Sequence, residues 1–245
     1  MKSITDRRTI RKYSKEDVST NMLNDLIQKA SRAATMGNMQ LYSVVVTRSP
    51  EQKEKLSPFH FNQKMVKEAP VVLTFCVDFN RFSEWCKYRE ANPGYNNFLS
   101  FLNSMSDTLL FTQNFCVLAE EKGLGTCYLG TTLYNPMGII ETLNLPKLTF
   151  PVATITLGWP DENPAQQERL PLNAYLHEEF YSTYSKEKID DIYSYKESLE
   201  ENINFVNINN KKTLAQVFTD CRYTKEANES MSEEIIRVLK IQDFL

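Results

Sequence analysis

The sequence predicts a layered fold of mixed helix and strand, α/β or α+β, on three observations. Short β-branched apolar runs alternate with stretches of helical period, the chain is long enough to close one large core, and its composition is that of an ordinary globular protein. Of 245 residues 42% are hydrophobic and 24% charged, with a net charge of −3. A chain of this length buries roughly 70–75% of its unfolded surface, so a single domain over residues 1–245 is expected, without disulfide or metal staples.

The elements follow in order. Met22, Leu23, Leu26, Ile27, Ala30, Ala33 and Ala34 recur at helical spacing behind Ser19 or Thr20, which predicts a helix ending near Met36-Gly37-Asn38. Tyr42 to Arg48 is β-branched and bounded, hence a strand, and Ser49-Pro50-Glu51-Gln52 supplies the cap, first-turn proline and capping-box Gln of a following helix. The unbroken apolar run from Val71 to Asp78 predicts a strand buried on both faces. Phe98 to Glu121 is the longest helical pattern, with Phe101, Leu102, Met105, Leu109, Thr112, Phe115, Cys116 and Leu118 towards one side and Gly123 as the stop. Thr126 to Leu129 and Phe150 to Leu157 are two further strands, separated by a short helix capped by Asn135-Pro136, the second ended by Gly158-Trp159-Pro160.

Beyond residue 180 the rhythm changes to helix and irregular chain. Ser230-Met231-Ser232-Glu233 reads as a capping box opening a helix that carries Ile235, Ile236, Val238 and Leu239. The preceding stretch from Tyr181 to Asn210 is polar and tyrosine-rich, and gains little by folding onto its own core. It wraps a partner subunit, covers a cofactor, or docks as a loose helical appendage.

Several function classes are excluded by what the chain lacks. No apolar run approaches the ~20 residues of a membrane span and no secretory leader pattern opens the sequence, so a cytoplasmic location is expected. Five cysteines without a CxxC pair read as reduced core residues. No basic stripe with interleaved aromatics suggests nucleic acid. Two histidines, His60 and His177, with no HExxH and no GxSxG, leave zinc and triad hydrolysis without parts; both read as surface or hydrogen-bonded residues. With seven glycines and neither GxGxxG nor a P-loop, a phosphate has to be held by side chains.

Side chains suited to that task cluster at Arg7-Arg8-Thr9-Ile10-Arg11-Lys12-Tyr13, where three planar guanidinium forks surround one hydroxyl. Alone, such a cluster reads more readily as a solvated basic turn. Three further polar segments, Thr35-Met36-Gly37-Asn38-Met39-Gln40, Asn62-Gln63-Lys64 and Tyr128-Leu129-Gly130-Thr131-Thr132, offer amides for a heteroaromatic edge, a cation for a ring that becomes anionic, and a glycine for close backbone approach. Arg169 adds a distant cation.

Together with Cys76-Val77-Asp78-Phe79-Asn80, Gly123-Leu124-Gly125-Thr126-Cys127, Leu157-Gly158-Trp159-Pro160 and Arg169-Leu170-Pro171, this order of segments resembles the FMN-dependent nitroreductase family. Within it, the chain is similar to the oxygen-insensitive NADPH nitroreductases and NADPH-flavin oxidoreductases. The resemblance implies an α+β, three-layer fold with a central, mostly antiparallel sheet. It also implies a homodimer formed through long helices with two FMN molecules at the interface, and a C-terminal extension, 172–245, wrapping the partner. By motif, Arg7, Arg8, Thr9 and Arg11 contact FMN, with Arg11 and Arg169 on its phosphate. Thr35, Asn38, Gln40 and Gln63 lie along the ribityl chain and ring edge, Lys64 lies near the ring, and the Gly130 N–H points at N5, with Tyr128, Leu129 and Thr131 beside it. Lys211 and Lys212 are read as the basic loop that recognises the 2′-phosphate of NADPH.

No side chain is implied as catalytic and none as a metal ligand. Arg7 stands where the close relatives often have His, Thr131 where a second Gly is frequent, and Gln167 where Lys often adds a phosphate contact. The implied activity is hydride transfer from NAD(P)H through FMN to nitroaromatics, quinones or free flavin by a ping-pong route. An FMN-binding carrier or redox-sensing module without turnover is the alternative.

Overall fold

A computed structural model of the chain describes residues 2–245. It forms two compact units: residues up to Gln166 together with Met231–Leu245, and Gln167–Ser230. The first holds α1 (Lys2–Thr5), α2 (Thr20–Ala30), β1 (Tyr42–Thr47), α3 (Pro50–Leu56), α4 (Lys64–Glu68), β2 (Val71–Asp78), α5 (Asn80–Lys87), α6 (Phe98–Glu121), β3 (Gly125–Leu129), α7 (Pro136–Leu143) and β4 (Thr149–Gly158). The second holds α8 (Lys186–Ser198), α9 (Glu200–Ile208) and α10 (Leu214–Val217), and α11 (Lys225–Ile241) runs from its last residues into the closing segment of the first. Among the described residues no helix is long and apolar enough to cross a membrane.

The sheet has the order β1-β2-β4-β3 with every neighbouring pair antiparallel, as the α+β expectation requires. Its alternating side chains build a core on each face. On one face Val71, Leu73, Phe75, Ala153, Ile155 and Leu157 meet Leu23 and Leu26 of α2 and Phe111, Phe115 and Ala119 of α6. On the other, Cys127 and Leu129 of β3 pack against Leu56, Met65, Val66 and Ile139 from α3, α4 and α7. β2 is buried at every position, as its unbroken apolar run predicts.

Local chemistry explains where sequence and structure part. α2 starts where expected, the Ser19 hydroxyl accepting from Met22 N–H at 3.2 Å, but it stops at Ala30 rather than near Met36. Its last carbonyls are taken by side chains: Ser31 Oγ donates to the Gln28 carbonyl at 2.7 Å and Asn114 Nδ2 to that of Ala30 at 3.2 Å. α3 begins at Pro50, yet Gln52 reaches the Thr142 carbonyl at 2.8 Å instead of closing a capping box. α4 and α5 have no sequence-derived counterpart; the carboxylate of Asp78 caps α5 by accepting from Arg81 N–H at 2.9 Å. Ser230-Met231-Ser232-Glu233 lies inside α11, whose first turn is capped by the Thr224 hydroxyl, 3.3 Å from Ala227 N–H. Four cysteines are buried and Cys221 is exposed, so the core reading fails for that one.

α6 has the expected ends, Asn97 capping Ser100 N–H at 2.9 Å and Gly123 in the left-handed region at φ 83°. Of the predicted stripe, Phe101, Thr112, Phe115 and Cys116 are buried, Met105, Leu109 and Leu118 pack against the core, and Leu102 alone is exposed. Phe101, Ser104, Asp107, Thr108, Phe111, Thr112, Phe115 and Ala119 face inward, while Leu99, Leu102 and Leu110 face out, Leu99 being 67% and Leu110 51% exposed. A helix apolar on most sides leaves periodicity least able to place single residues such as Leu102. The polar inward residues are hydrogen-bonded, Asp107 accepting from Met36 N–H at 2.8 Å and Leu41 N–H at 3.3 Å. That pair of bonds fixes the segment before β1.

Ile192, Leu214 and Val217 are the buried apolar residues of the second unit. Side-chain caps hold its helices, Ser185 on Lys188 N–H and Thr213 on Gln216 N–H, each at 3.2 Å.

Candidate cofactor site

The arginine-bearing segment is pinned to the start of β3. Thr9 bridges Thr126, Ile10 N–H donates to the Thr126 carbonyl at 3.0 Å, and the Tyr13 hydroxyl bonds the Ile10 carbonyl at 2.7 Å. The contact is so close that a Cβ on Gly125 would stand 2.7 Å from the Ile10 side chain. Three arginines are thus delivered to one edge, but they are not equivalent. Arg7 Nε lies 3.5 Å from Glu120 Oε1, and Arg8 donates to the Asn163 amide oxygen. Burial pushes the Glu120 carboxyl up, against the Thr126 hydroxyl bond and the Arg7 charge that pull it down. Arg11 is exposed and makes no salt bridge among the described residues. The Glu162 carboxylate already takes the N–H groups of Arg11 and Lys12, so an anion arriving here meets the Arg11 guanidinium and not the backbone.

At its other end β3 runs into the Gly130–Leu133 turn. Thr132 Oγ1 donates to the Leu129 carbonyl at 2.8 Å, and Thr131 Oγ1 lies 2.9 Å from Nδ1 of His60, which ends the neighbouring Ser57–His60 turn. The imidazole is buried, its Nε2 has no partner, and burial pushes its pKa down to about 4, so it is neutral at physiological pH. This bond ties the Ser57–His60 turn, which Gln63 and Lys64 follow in sequence, to the Gly130–Leu133 turn. Nothing in the sequence marked His60 for that role, or Glu162 and Glu120 for theirs; each acts across more than 50 positions.

Gly130 is exposed, its φ lies outside the left-handed region, and a Cβ there would meet nothing within 4 Å. Its own fold therefore does not demand glycine, unlike Gly138, where a Cβ would fall 2.1 Å from the Phe59 ring. Burial raises the Cys127 thiol while the Arg11 and Arg7 charges lower it, which puts both guanidinium fields within reach of the middle of β3. Cys127 and Gly130 are three residue rises apart, about 10 Å at 3.3 Å each. The arrangement is a cation, a strand-length spacer and an open backbone site.

The remaining sequence-derived residues lie elsewhere or act differently. Leu129 is buried in the core and the Thr131 hydroxyl is spent on His60, so those two offer backbone only, whereas Tyr128 is exposed. Thr35, Asn38 and Gln40 precede β1, at the opposite edge of the sheet and three strand spacings, about 14 Å, from β3. Asn38 and Gln40 both have φ 55° and both are exposed. Arg169, Lys211 and Lys212 belong to the second unit. There the Arg169 guanidinium donates to the carbonyls of Gln167 and Glu168 at 3.2 and 2.8 Å, and Lys211 Nζ pairs with Asp220 at 2.9 Å. The ammonium of Lys212 makes no salt bridge among the described residues.

The chain thus has a four-stranded antiparallel sheet layered between helices, with arginines at the start of β3 and an unobstructed glycine at its end. The Nitroreductase family profile matches residues 4–159, and the chain belongs to that family. A crystal structure from Bacteroides fragilis, described as an oxidoreductase, is 59% identical over 100% of both chains with a TM-score of 0.99. The "CR(VI) reductase" of Pseudomonas sp. strain G-1 is 32% identical over 97% of this chain and 93% of its own length. The "FMN reductase [NAD(P)H]" of Bacillus subtilis is 34% identical over 83% of this chain and 82% of its own.

Proposed function

We propose that this chain is an FMN-dependent oxidoreductase that passes hydride from NAD(P)H to nitroaromatics, quinones or free flavin by a ping-pong route. The observation that carries the reading is Gly130: a glycine that its own fold leaves unforced and open to solvent, at the end of the strand whose start is bridged by the segment of Arg11, an arginine with no salt bridge among the described residues. The family and the names of the reductase relatives support the same reading. When bound, FMN supplies the capacity to take up and release hydride.

The chain's residues orient that group. Arg11 meets the phosphate with its planar fork, a match of shape as well as charge. Arg8 and Thr9 line the same edge, and Arg7, held by Glu120, adds field without being free to turn. The Gly130 N–H is offered to the ring, the Gln63 amide to its edge, and the Lys64 ammonium favours negative charge there. Lys212, the cation of its loop not engaged by an acid, is the candidate reader of a 2′-phosphate. Because Lys211 is shared with Asp220, discrimination of NADPH from NADH rests mainly on one point charge.

We further propose a homodimer in which Thr35, Asn38 and Gln40 of the partner subunit complete each site. Two halves at opposite sheet edges, together with the outward leucines of α6, suit a two-fold assembly in which the same patch serves both copies. Donor and acceptor then use one exposed face in succession. Initial rates at varied donor and acceptor should give parallel double-reciprocal lines; intersecting lines with dead-end inhibition through a ternary complex would reject the shared face.

A further inference from the structure

We propose that Phe61, backed by Tyr134, is an aromatic wall against which planar acceptors stack, and that it sets the preference for aromatic over inorganic oxidants. The proposal rests on the cofactor reading at Gly130 and adds a residue that reading does not use.

The backbone is the first observation. Phe61 and Asn62 both occupy the left-handed region, at φ 55° and 54°. A bulky residue there is an outlier, since Cβ crowds the following carbonyl, and glycine would fit without strain. The conformation is held by three bonds: Phe61 N–H to the Pro58 carbonyl at 3.1 Å, Asn62 N–H to that of Ser57 at 2.9 Å, and Gln63 N–H to that of His60 at 3.2 Å. Strain maintained by its surroundings concentrates at functional positions.

The second observation is where the side chain goes. Phe61 is 54% exposed and takes no part in the core clusters, so the strained backbone does not serve burial. Its aromatic neighbour is Tyr134, 5.9 Å away and tilted by 31°. Tyr134 itself closes the Gly130–Leu133 turn, its N–H donating to the Thr131 carbonyl at 3.0 Å. The buried His60, one residue before Phe61, is bonded to that same Thr131. The ring therefore stands exposed beside the glycine turn, where an offset partner ring gains stacking that an inorganic ion cannot.

The test compares Phe61→Gly and Phe61→Tyr with the parent holoenzyme, using menadione as the planar acceptor and ferricyanide as the inorganic one. Phe61→Gly should keep its flavin content and a melting temperature no lower than the parent's, yet lose about tenfold in kcat/KM for menadione. Its ferricyanide reduction should stay within twofold, and Phe61→Tyr should retain both activities. A Phe61→Gly protein with full flavin and unchanged menadione kinetics would overturn the wall. So would an equal loss with both acceptors, or a fall in melting temperature of several degrees with activity intact, which would mark a structural residue. Loss of flavin in Phe61→Gly alone would make Phe61 part of the cofactor seat and overturn the assignment to acceptors. A parent protein that takes up no FMN would instead strike at the function proposed above.

Discussion

Gly130→Val should lower FMN affinity by about a hundredfold or more while leaving the apo-protein's melting temperature essentially unchanged. The space above Gly130 is open, a Cβ there meeting nothing within 4 Å, so the added side chain should cost the apo fold little. Filling a turn glycine outside the left-handed region also narrows the unfolded ensemble, worth about 0.4–1 kcal/mol in favour of folding for the Ala case. A ring resting on that surface, by contrast, is pushed off by two methyl groups at roughly 1–3 kcal/mol and loses a backbone hydrogen bond worth about 0.5–1.5 kcal/mol. Together these approach or exceed the 2.7 kcal/mol of a hundredfold change. Flavin-fluorescence quenching gives the affinity and thermal unfolding the stability. Gly138→Ala is the internal contrast: its Cβ falls 2.1 Å from Phe59, so it should lose about 1–3 kcal/mol of stability. A Gly130→Val protein that binds FMN like the parent would remove Gly130 from the site.

Replacing the two most exposed leucines of α6, as Leu99→Asp with Leu110→Asp, should convert the protein to a folded monomer. Both side chains point away from the core, so the monomer loses little. A two-fold interface uses each position twice, and four leucines at about 1 kcal/mol each for the half still exposed make about 4 kcal/mol. Carboxylates forced into an apolar contact add to that, so the dissociation constant should rise by more than about a thousandfold. Sedimentation velocity reads the mass. FMN retention should fall with it, because Thr35, Asn38 and Gln40 lead into β1, at the sheet edge opposite β3 and Gly130 of the same chain. A double variant that remains dimeric would place the interface elsewhere.

Much of the fold is legible in the chain because strand signals are local. Val71–Asp78 and Phe98–Glu121 are bounded as their apolar runs and punctuating residues indicate. Most of the inward face of α6 was legible, Phe101, Thr112, Phe115 and Cys116 being buried as read, but its polar members Ser104, Asp107 and Thr108 and the outward turn of Leu102 were not, because the helix is apolar on both sides. Caps misled where a competing acceptor was remote, as with Gln52, which bonds Thr142, and where a good box fell within a longer helix, as at Ser230. In the candidate site the cations and the glycine are visible in sequence, but their inequality is not. Arg7 is tied by Glu120, Lys211 by Asp220, and Arg11 is left unpaired by contacts that periodicity cannot reveal. Phe61 carries no composition signal at all; only its backbone angle and exposure mark it.

The most direct measurement is an anaerobic titration of the purified, FMN-reconstituted protein with NADPH, followed by the visible absorption of the flavin. The expected result is one FMN per subunit, bleached stoichiometrically by one equivalent of donor and restored by a quinone. Bound flavin that NADPH leaves coloured would identify a carrier or sensor and contradict the oxidoreductase, and a protein that remains colourless after FMN is supplied would contradict the site itself.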